Sequence, residues 1–320
     1  MWFKNKYFLL IGFLFFTLPS IEAGLFGISP KDRQEFVHAR ETYNQGNYEQ
    51  AVAQLSDYIY KTKNIKRREA RAYRLLGLAY EKLDMPGKAL ETYKEALTFH
   101  EKDVPLLLAA AELYHRTDLT DQSINLYNQA LKIEPDNLIA LSGQAENYID
   151  MGFYSKARTY YDRFFELDPQ APAINRARYA YTFSKQRNYA DALIHITMAK
   201  MEEPSQADYW LLSARAYKGL SMPKDALEDL EIAIFLEPNR TDLKIIKAMW
   251  LYQMAQYTSS LSSARELLKQ EPENELALFT IFLNLQKLNQ KEQALQALQK
   301  IKELDKDSFA NKVARHLLHE

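Results

Sequence analysis

Apolar and small side chains return along most of this chain at intervals of three and four, in short runs that come in pairs. Between residues 138 and 171, Leu141, Ala145 and Tyr148 share one helical face and Gly152 interrupts the pattern. Ala157, Tyr161 and Phe164 then resume it until Asp168-Pro169 ends the second run. This spacing predicts two amphipathic helices joined by a tight turn.

The pair repeats. An acidic residue followed by proline closes it at Pro135, Pro169, Pro204, Pro238 and Pro272, at spacings of 34, 35, 34 and 34. A series of small residues runs Ala51, Ala89, Ser123, Ala157, Ala192, Ala226, Ser260, Ala294 in the same register, and a second runs Ala39, Gly77, Ala111, Ala145, Ala180, Ala214, Ala248 before failing at Phe282. Proline cannot donate within a helix and disfavours a helical residue before it, so these prolines end every second helix at an equivalent place. Pro86 and Pro223 stand instead where a second helix begins, where the missing N–H is harmless.

The small series has a steric cause: where helices cross closely, a larger side chain forces the axes apart at a cost of about 1–3 kcal/mol. Ala145 is predicted to lie in such a crossing and Gln144 outside it. Tyr80, Tyr114, Tyr148, Phe183 and Tyr217 recur at one place and Tyr93, Tyr127 and Tyr161 at another, and both sets are predicted to fill the core beside the small residues.

A 34-residue helix–turn–helix with Tyr73, Leu107, Leu141, Trp210 or Leu278 early in its first helix, these small residues, the tyrosines and a closing proline resembles the tetratricopeptide repeat. The resemblance covers 32–65, 70–103, 104–137, 138–171, 173–206, 207–240, 241–274 and 275–308. It implies an all-α, right-handed α-solenoid of about eight helix–turn–helix units. Glu35, Arg176 and Lys244 depart from the early aromatic, Phe282 from the small residue, and the second unit lacks its proline. Residues 309–320, with Phe309, Val313, Leu317 and Leu318 on one face, are expected to form a helix capping the array.

Residues 1–23 read as a secretory signal: Lys4 and Lys6, an uncharged, mostly apolar stretch from Tyr7 to Leu18, then Pro19 and Ser20. Cleavage is expected between Ala23 and Gly24, leaving 24–31 as a lead-in. The other reading is an uncleaved anchor, which reaches across ~30 Å of hydrocarbon only by extending to Ile28 and carrying Glu22. The chain is therefore expected to be exported, periplasmic or secreted, or else anchored at its N-terminus facing the periplasm. No other stretch is expected to enter a membrane.

Composition narrows the chemistry. There is no cysteine, which excludes disulfides, thiolate metal sites and thiol nucleophiles. Lys and Arg total 41 against 42 Asp and Glu, which offers no electrostatic footprint for nucleic acid. His38, His100, His115, His195, His316 and His319 are scattered, and Glu112 beside His115 lacks the second copy that a di-iron bundle needs. No phosphate-binding loop, nucleophile elbow or zincin motif occurs. No metal, cofactor or catalytic site is expected, and no residues are left over for a catalytic domain.

The resemblance leaves the face formed by the first helices as the working surface. Positions matching the family's groove place Phe36, Val37, Arg40 and Tyr43 there, then Arg71, Arg74, Leu75 and Leu78. Glu112, Glu146 and Asp150 make an acidic middle, followed by Arg178, Tyr181, Arg215 and Lys218. An apolar end holds Leu211, Leu212, Ile245, Ile246, Met249, Tyr252, Phe279 and Leu283. The apolar members either meet a partner or are hidden against one another. The lysine and asparagine set with which some members grip heat-shock chaperone termini does not occur in any three consecutive units. Lys61, Lys63, Lys66, Arg67, Arg68, Arg71 and Arg74 form a basic run that is either a solvated linker or an anion-binding patch.

The expected function is that of an adaptor binding a protein or peptide partner and assisting assembly of a cell-envelope complex. A structural subunit of a secretion, motility or polysaccharide-export apparatus is the alternative, and an enzyme the remote one.

Overall fold

The computed structural model describes residues 30–62, 69–304 and 309–317, and every regular element among them is an α-helix. The signal stretch with Ala23 and Gly24, and Lys63, Lys66, Arg67 and Arg68 of the basic run, lie outside the described residues. In chain order the helices are α1 (Pro30–Asn44), α2 (Tyr48–Thr62), α3 (Ala70–Lys82), α4 (Pro86–Leu97), α5 (Val104–Arg116), α6 (Thr120–Ile133), α7 (Leu138–Asp150), α8 (Tyr154–Leu167) and α9 (Ala173–Lys185). There follow α10 (Tyr189–Glu202), α11 (Ala207–Gly219), α12 (Pro223–Leu236), α13 (Thr241–Gln253), α14 (Tyr257–Gln270), α15 (Glu275–Lys287), α16 (Lys291–Glu303) and α17 (Phe309–Leu317). The fold class is the all-α solenoid of helical hairpins.

The chain divides into two compact units, residues 1–129 and 130–320. In the first, α1 packs with α2 and α3 with α4, and α2 and α4 each lean on the following helix. In the second, α7 with α8, α9 with α10, α11 with α12, α13 with α14 and α15 with α16 form hairpins, each stacked on the next. α17 closes the end against α15 and α16.

Local signals explain the helix ends. Asp103, Asn137, Asn188 and Asn274 accept from backbone amides three residues on and so cap α5, α7, α10 and α15. Pro86 and Pro223 open α4 and α12, and Pro169, Pro204, Pro238 and Pro272 each stand just past a second helix, as the sequence predicts. The turn inside each hairpin passes through the left-handed region at one residue: Gly46, Asp84, Asp118, Gly152, Arg187, Ser221, Ala255 or Asn289. Only two of these are glycine, so the requirement is invisible in composition.

Both small series lie in the helix crossings. Ala39, Ala111, Ala145, Ala180, Ala214 and Ala248 are 0% exposed, as are Ser123, Ala157, Ala192 and Ser260. Gly77 has a specific reason to lack a side chain, because a Cβ there would sit 2.1 Å from the Tyr93 ring. Tyr93, Tyr127 and Tyr161 are buried, whereas Tyr80, Tyr148 and Tyr217 keep part of their rings in solvent.

Two expectations need correction. Gln144 is buried as completely as Ala145, so burial on α7 extends beyond the face that carries the small series. Phe282, which departs from the small series, packs in the terminal core with Leu278, Leu285 and Leu298. α17 turns a different face inward. Asn311 donates from Nδ2 to the carbonyls of Ile301 (2.9 Å) and Lys302 (3.0 Å), Ala314 is buried, and Leu317 is exposed.

Candidate functional site

Within each unit, first helices of successive hairpins touch: α1 with α3 and α3 with α5, then α7 with α9, α9 with α11 and α13 with α15. Their shared face carries the residues singled out above, and the two units differ along it.

In the first unit, much of the expected surface is interior. Phe36 lies 5.6 Å from Tyr58, and Phe36 and Tyr43 both pack on Ala39, Leu55, Leu75 and Leu76. Leu75 is 5% exposed and belongs to the core between hairpins. Phe36, Tyr43 and Leu75 therefore hold hairpins together instead of awaiting a partner. Arg40 and Arg71 are exposed, while Arg74, Leu78 and Glu112 are half-buried. Burial lowers the pKa of Arg74, opposed by Asp103 and reinforced by Arg71. The sequence reading passed over Glu81 on α3, which pairs with Arg116 on α5 and accepts from the Tyr93 hydroxyl at 2.6 Å. The signal was present as opposite charges at offset 35 on successive first helices.

In the second unit, Glu146 on α7 and Arg178 on α9 form an ion pair. Arg178 is 8% exposed. The expected acidic middle and basic region therefore cancel where they meet, and Arg178 leaves the accessible surface. Tyr181 remains half-exposed, edge-on to Tyr154 at 6.0 Å, and Lys185 Nζ lies 5.1 Å from the Tyr181 ring centre. Arg215 is half-buried, and burial lowers its pKa against the opposing influence of Tyr181 and Asp242. Lys218 sits 4.7 Å over the Trp250 ring and donates to Gln253 Oε1 at 2.6 Å, with its pKa also lowered by burial.

The apolar end is smaller than expected. Leu211, Leu212 and Ile245 are buried in the core, and Phe279 packs partly buried against Phe282 at 5.9 Å, which leaves Ile246, Met249, Tyr252 and Leu283 at least half-exposed or partly accessible. Asp208 and Asp242, at the N-terminal end of this face, are gathered by Arg240 at 2.7 and 2.9 Å. Hydrogen bonding to Arg240 lowers the Asp242 pKa.

The opposite side of the second unit exposes apolar residues that the sequence reading missed. Ile194, Met198 and Met201 recur along one exposed side of α10, and Phe235 is exposed on α12; Met201 is 79% and Phe235 83% exposed. Among the described residues no three His, Asp or Glu side chains gather as a metal site requires, and no described helix is long and apolar enough to cross a membrane.

Two tetratricopeptide-repeat family models match the chain, over residues 36–104 and 104–137. Residues 36–137 thus match the tetratricopeptide-repeat family. Similarity to curated proteins is partial. RANBP2-like and GRIP domain-containing protein 8 of Homo sapiens is 32% identical over 103 residues, which is 31% of this chain and 6% of that protein. The chain thus spans a small fraction of that relative. Among solved structures, a tetratricopeptide repeat protein from Parabacteroides merdae superposes with a TM-score of 0.59 at 18% identity, covering 80% of this chain and all of that one. YrrB, described as a tetratricopeptide-repeat protein with an unusual peptide-binding site, gives 0.52 at 17% identity over 59% of this chain and 95% of its own. These likenesses establish the tetratricopeptide fold.

Proposed function

We propose that this chain is an exported adaptor whose tetratricopeptide hairpins hold a protein partner on the first-helix face of the second unit and thereby assist assembly of a cell-envelope complex. Tetratricopeptide arrays serve generally as protein-interaction scaffolds, and repeats occupy nearly all the described residues here. The observation that carries the choice of surface is the accessible mixture on α9, α11 and α13: Tyr181, Arg215, Lys218, Ile246 and Met249 combine rings, cations and aliphatic side chains on neighbouring helices. Export rests on the charged start and apolar run of residues 4–18 ahead of Ala23.

A photo-reactive amino acid in place of Met249, with its crosslinks in the native envelope identified by mass spectrometry, tests the surface. N-terminal sequencing of the mature chain tests the export step. A reproducible partner at 249 and a chain beginning at Gly24 are expected, whereas crosslinks absent at 249 and an unprocessed cytoplasmic chain would remove the proposal.

One observation favours a second reading, in which the chain is a structural subunit packed edge to edge in a larger apparatus. Ile194, Met198, Met201 and Phe235 expose apolar surface on the outer helices. The same crosslinker at Phe235 separates the two, since a subunit docked by its outer helices would be captured there and not at 249.

A further inference from the structure

The hairpin of α9 and α10 encloses a charge with a poor partner. Arg176 on α9 stands where other repeats carry tyrosine, tryptophan or leucine, and it is 6% exposed. Its guanidinium lies 5.5 Å from the Phe165 ring and donates from Nη2 to the Pro169 carbonyl. From Nη1 it donates to the Met198 sulfur on α10 at 3.9 Å. Among the described residues it meets no carboxylate. A buried cation is costly unless it is paired or well hydrogen-bonded, and a thioether is a weak acceptor. The bond from Nη1 therefore leaves much of the desolvation of this group uncompensated.

Met198 is also open to solvent. It is 44% exposed and lies with Ile194 and Met201 along one side of α10. A dissolved oxidant thus has access to the side chain whose sulfur the buried guanidinium touches.

We propose that Met198 is a site of reversible oxidation to the sulfoxide, at which the new oxygen is held by Arg176. A hydroperoxide supplies that oxygen. The sulfur lone pair attacks one peroxide oxygen, the O–O bond breaks, and the departing hydroxide or alkoxide takes the proton from the oxygen now on sulfur. A thioether and a hydroperoxide so give a sulfoxide and water or an alcohol, with sulfur oxidised by two electrons and the peroxide reduced by two. The sulfoxide oxygen carries partial negative charge, so a charge-assisted hydrogen bond from Nη1 replaces the weak contact to sulfur. Oxidation of methionine ordinarily disrupts packing, because it sets a polar group among apolar ones. Here the polar product meets a buried cation that lacks a strong acceptor, and the contact between α9 and α10 is strengthened. Met201, 79% exposed and accepting no hydrogen bond among the described residues, has no such receiver.

The test uses the full chain with Met85, Met151, Met201, Met222 and Met249 replaced by leucine, so that Met198 is the exposed methionine that remains among the described residues. Hydrogen peroxide is added, and mass spectrometry of the peptide spanning 198 confirms the gain of one oxygen. The melting temperature is expected to rise by ~2 °C or more on oxidation, and methionine sulfoxide reductases should return it to its starting value. In the same background with Arg176→Met, oxidation should lower the melting temperature instead. Nitrogen-15 spectra of the Arg176 guanidinium in the unsubstituted position give a second reading that does not depend on the folding of that variant: its resonances should shift on oxidation and its protons exchange more slowly with water. No oxygen gained at 198, an unchanged or lowered melting temperature, the same shift with Arg176→Met, or guanidinium resonances indifferent to peroxide would overturn the inference.

Discussion

Arg178 on α9 reaches back to α7 and closes an ion pair with Glu146, with side-chain exposures of 10% and 14%. The pair joins the first helices of two neighbouring hairpins, so it couples the stacking of one repeat on the next to a single electrostatic contact. Attraction between these groups offsets a large loss of hydration, and removing one member leaves the other stranded.

Glu146→Gln and Arg178→Met are therefore each expected to destabilise the second unit by about 3 kcal/mol. Glu146→Gln/Arg178→Met should cost less than the sum of its two single variants. Urea unfolding of the four chains in a double-mutant cycle measures the coupling, and strict additivity would show that the pair contributes nothing.

Ala255 sits at φ 58° in the turn between α13 and α14, where Gly46 and Gly152 serve in equivalent turns. A left-handed conformation costs an ordinary residue about 1–2 kcal/mol, and glycine's greater freedom in the unfolded chain returns part of that. Ala255→Gly should raise stability by about 0.5–1 kcal/mol, and Gly152→Ala should lower it by a similar amount. Thermal melts of both variants give opposite signs if the turns are as described.

Gly77→Ala places a methyl against the buried Tyr93 ring at 2.1 Å, whereas Gly87, in the first turn of α4, has nothing within 4 Å of a built Cβ. The first substitution is expected to cost about 1–3 kcal/mol and the second to be neutral or slightly favourable. Denaturant midpoints compare them directly.

His195 on α10 stacks on Phe183 at 5.5 Å and lies 4.5 Å from Tyr179 and 6.1 Å from Phe165. Burial lowers its pKa from 6.5, Arg176 lowers it further, and Asp191 and Asp162 oppose the change. The folded state thus prefers neutral imidazole, and below pH 6.5 the unfolded chain binds a proton that the folded one resists. Stability should be fully present above that pH and fall as the pH drops from it toward the lower folded value. His195→Phe should flatten this part of the profile, as measured by unfolding at pH 7.5 and pH 5.5, values that bracket the ~6.5 of an unperturbed histidine.

The architecture was legible in the sequence because its cause is periodic. Ala145, Ala180 and Ala214 recur where helices cross, and prolines recur where helices end, so one register orders every hairpin. The face was less legible. Helical spacing tells which way a side chain points along its own helix, but not how far the next helix covers it. Leu75 and Arg178 were misplaced for that reason, since each meets a neighbouring hairpin, and Gln144 proved equally buried. The left-handed turn residues left no trace either, because Arg187, Ser221 and Ala255 adopt a backbone conformation that their identities do not announce. In α17 the polar Asn311 took the inward position by binding carbonyls at the end of α16, which the apolar pattern alone did not anticipate.

Glu81 with Arg116, Glu146 with Arg178, Asp208 with Arg240 and Lys200 with Asp229 all tie one hairpin to its neighbour. The alanines at the crossings recur almost unchanged from hairpin to hairpin. The charged contacts do not recur in that way, since each arginine or lysine meets a carboxylate at a different place in the hairpin. Each of these joints thus carries a charge match specific to its two hairpins beside the apolar contact that all of them share.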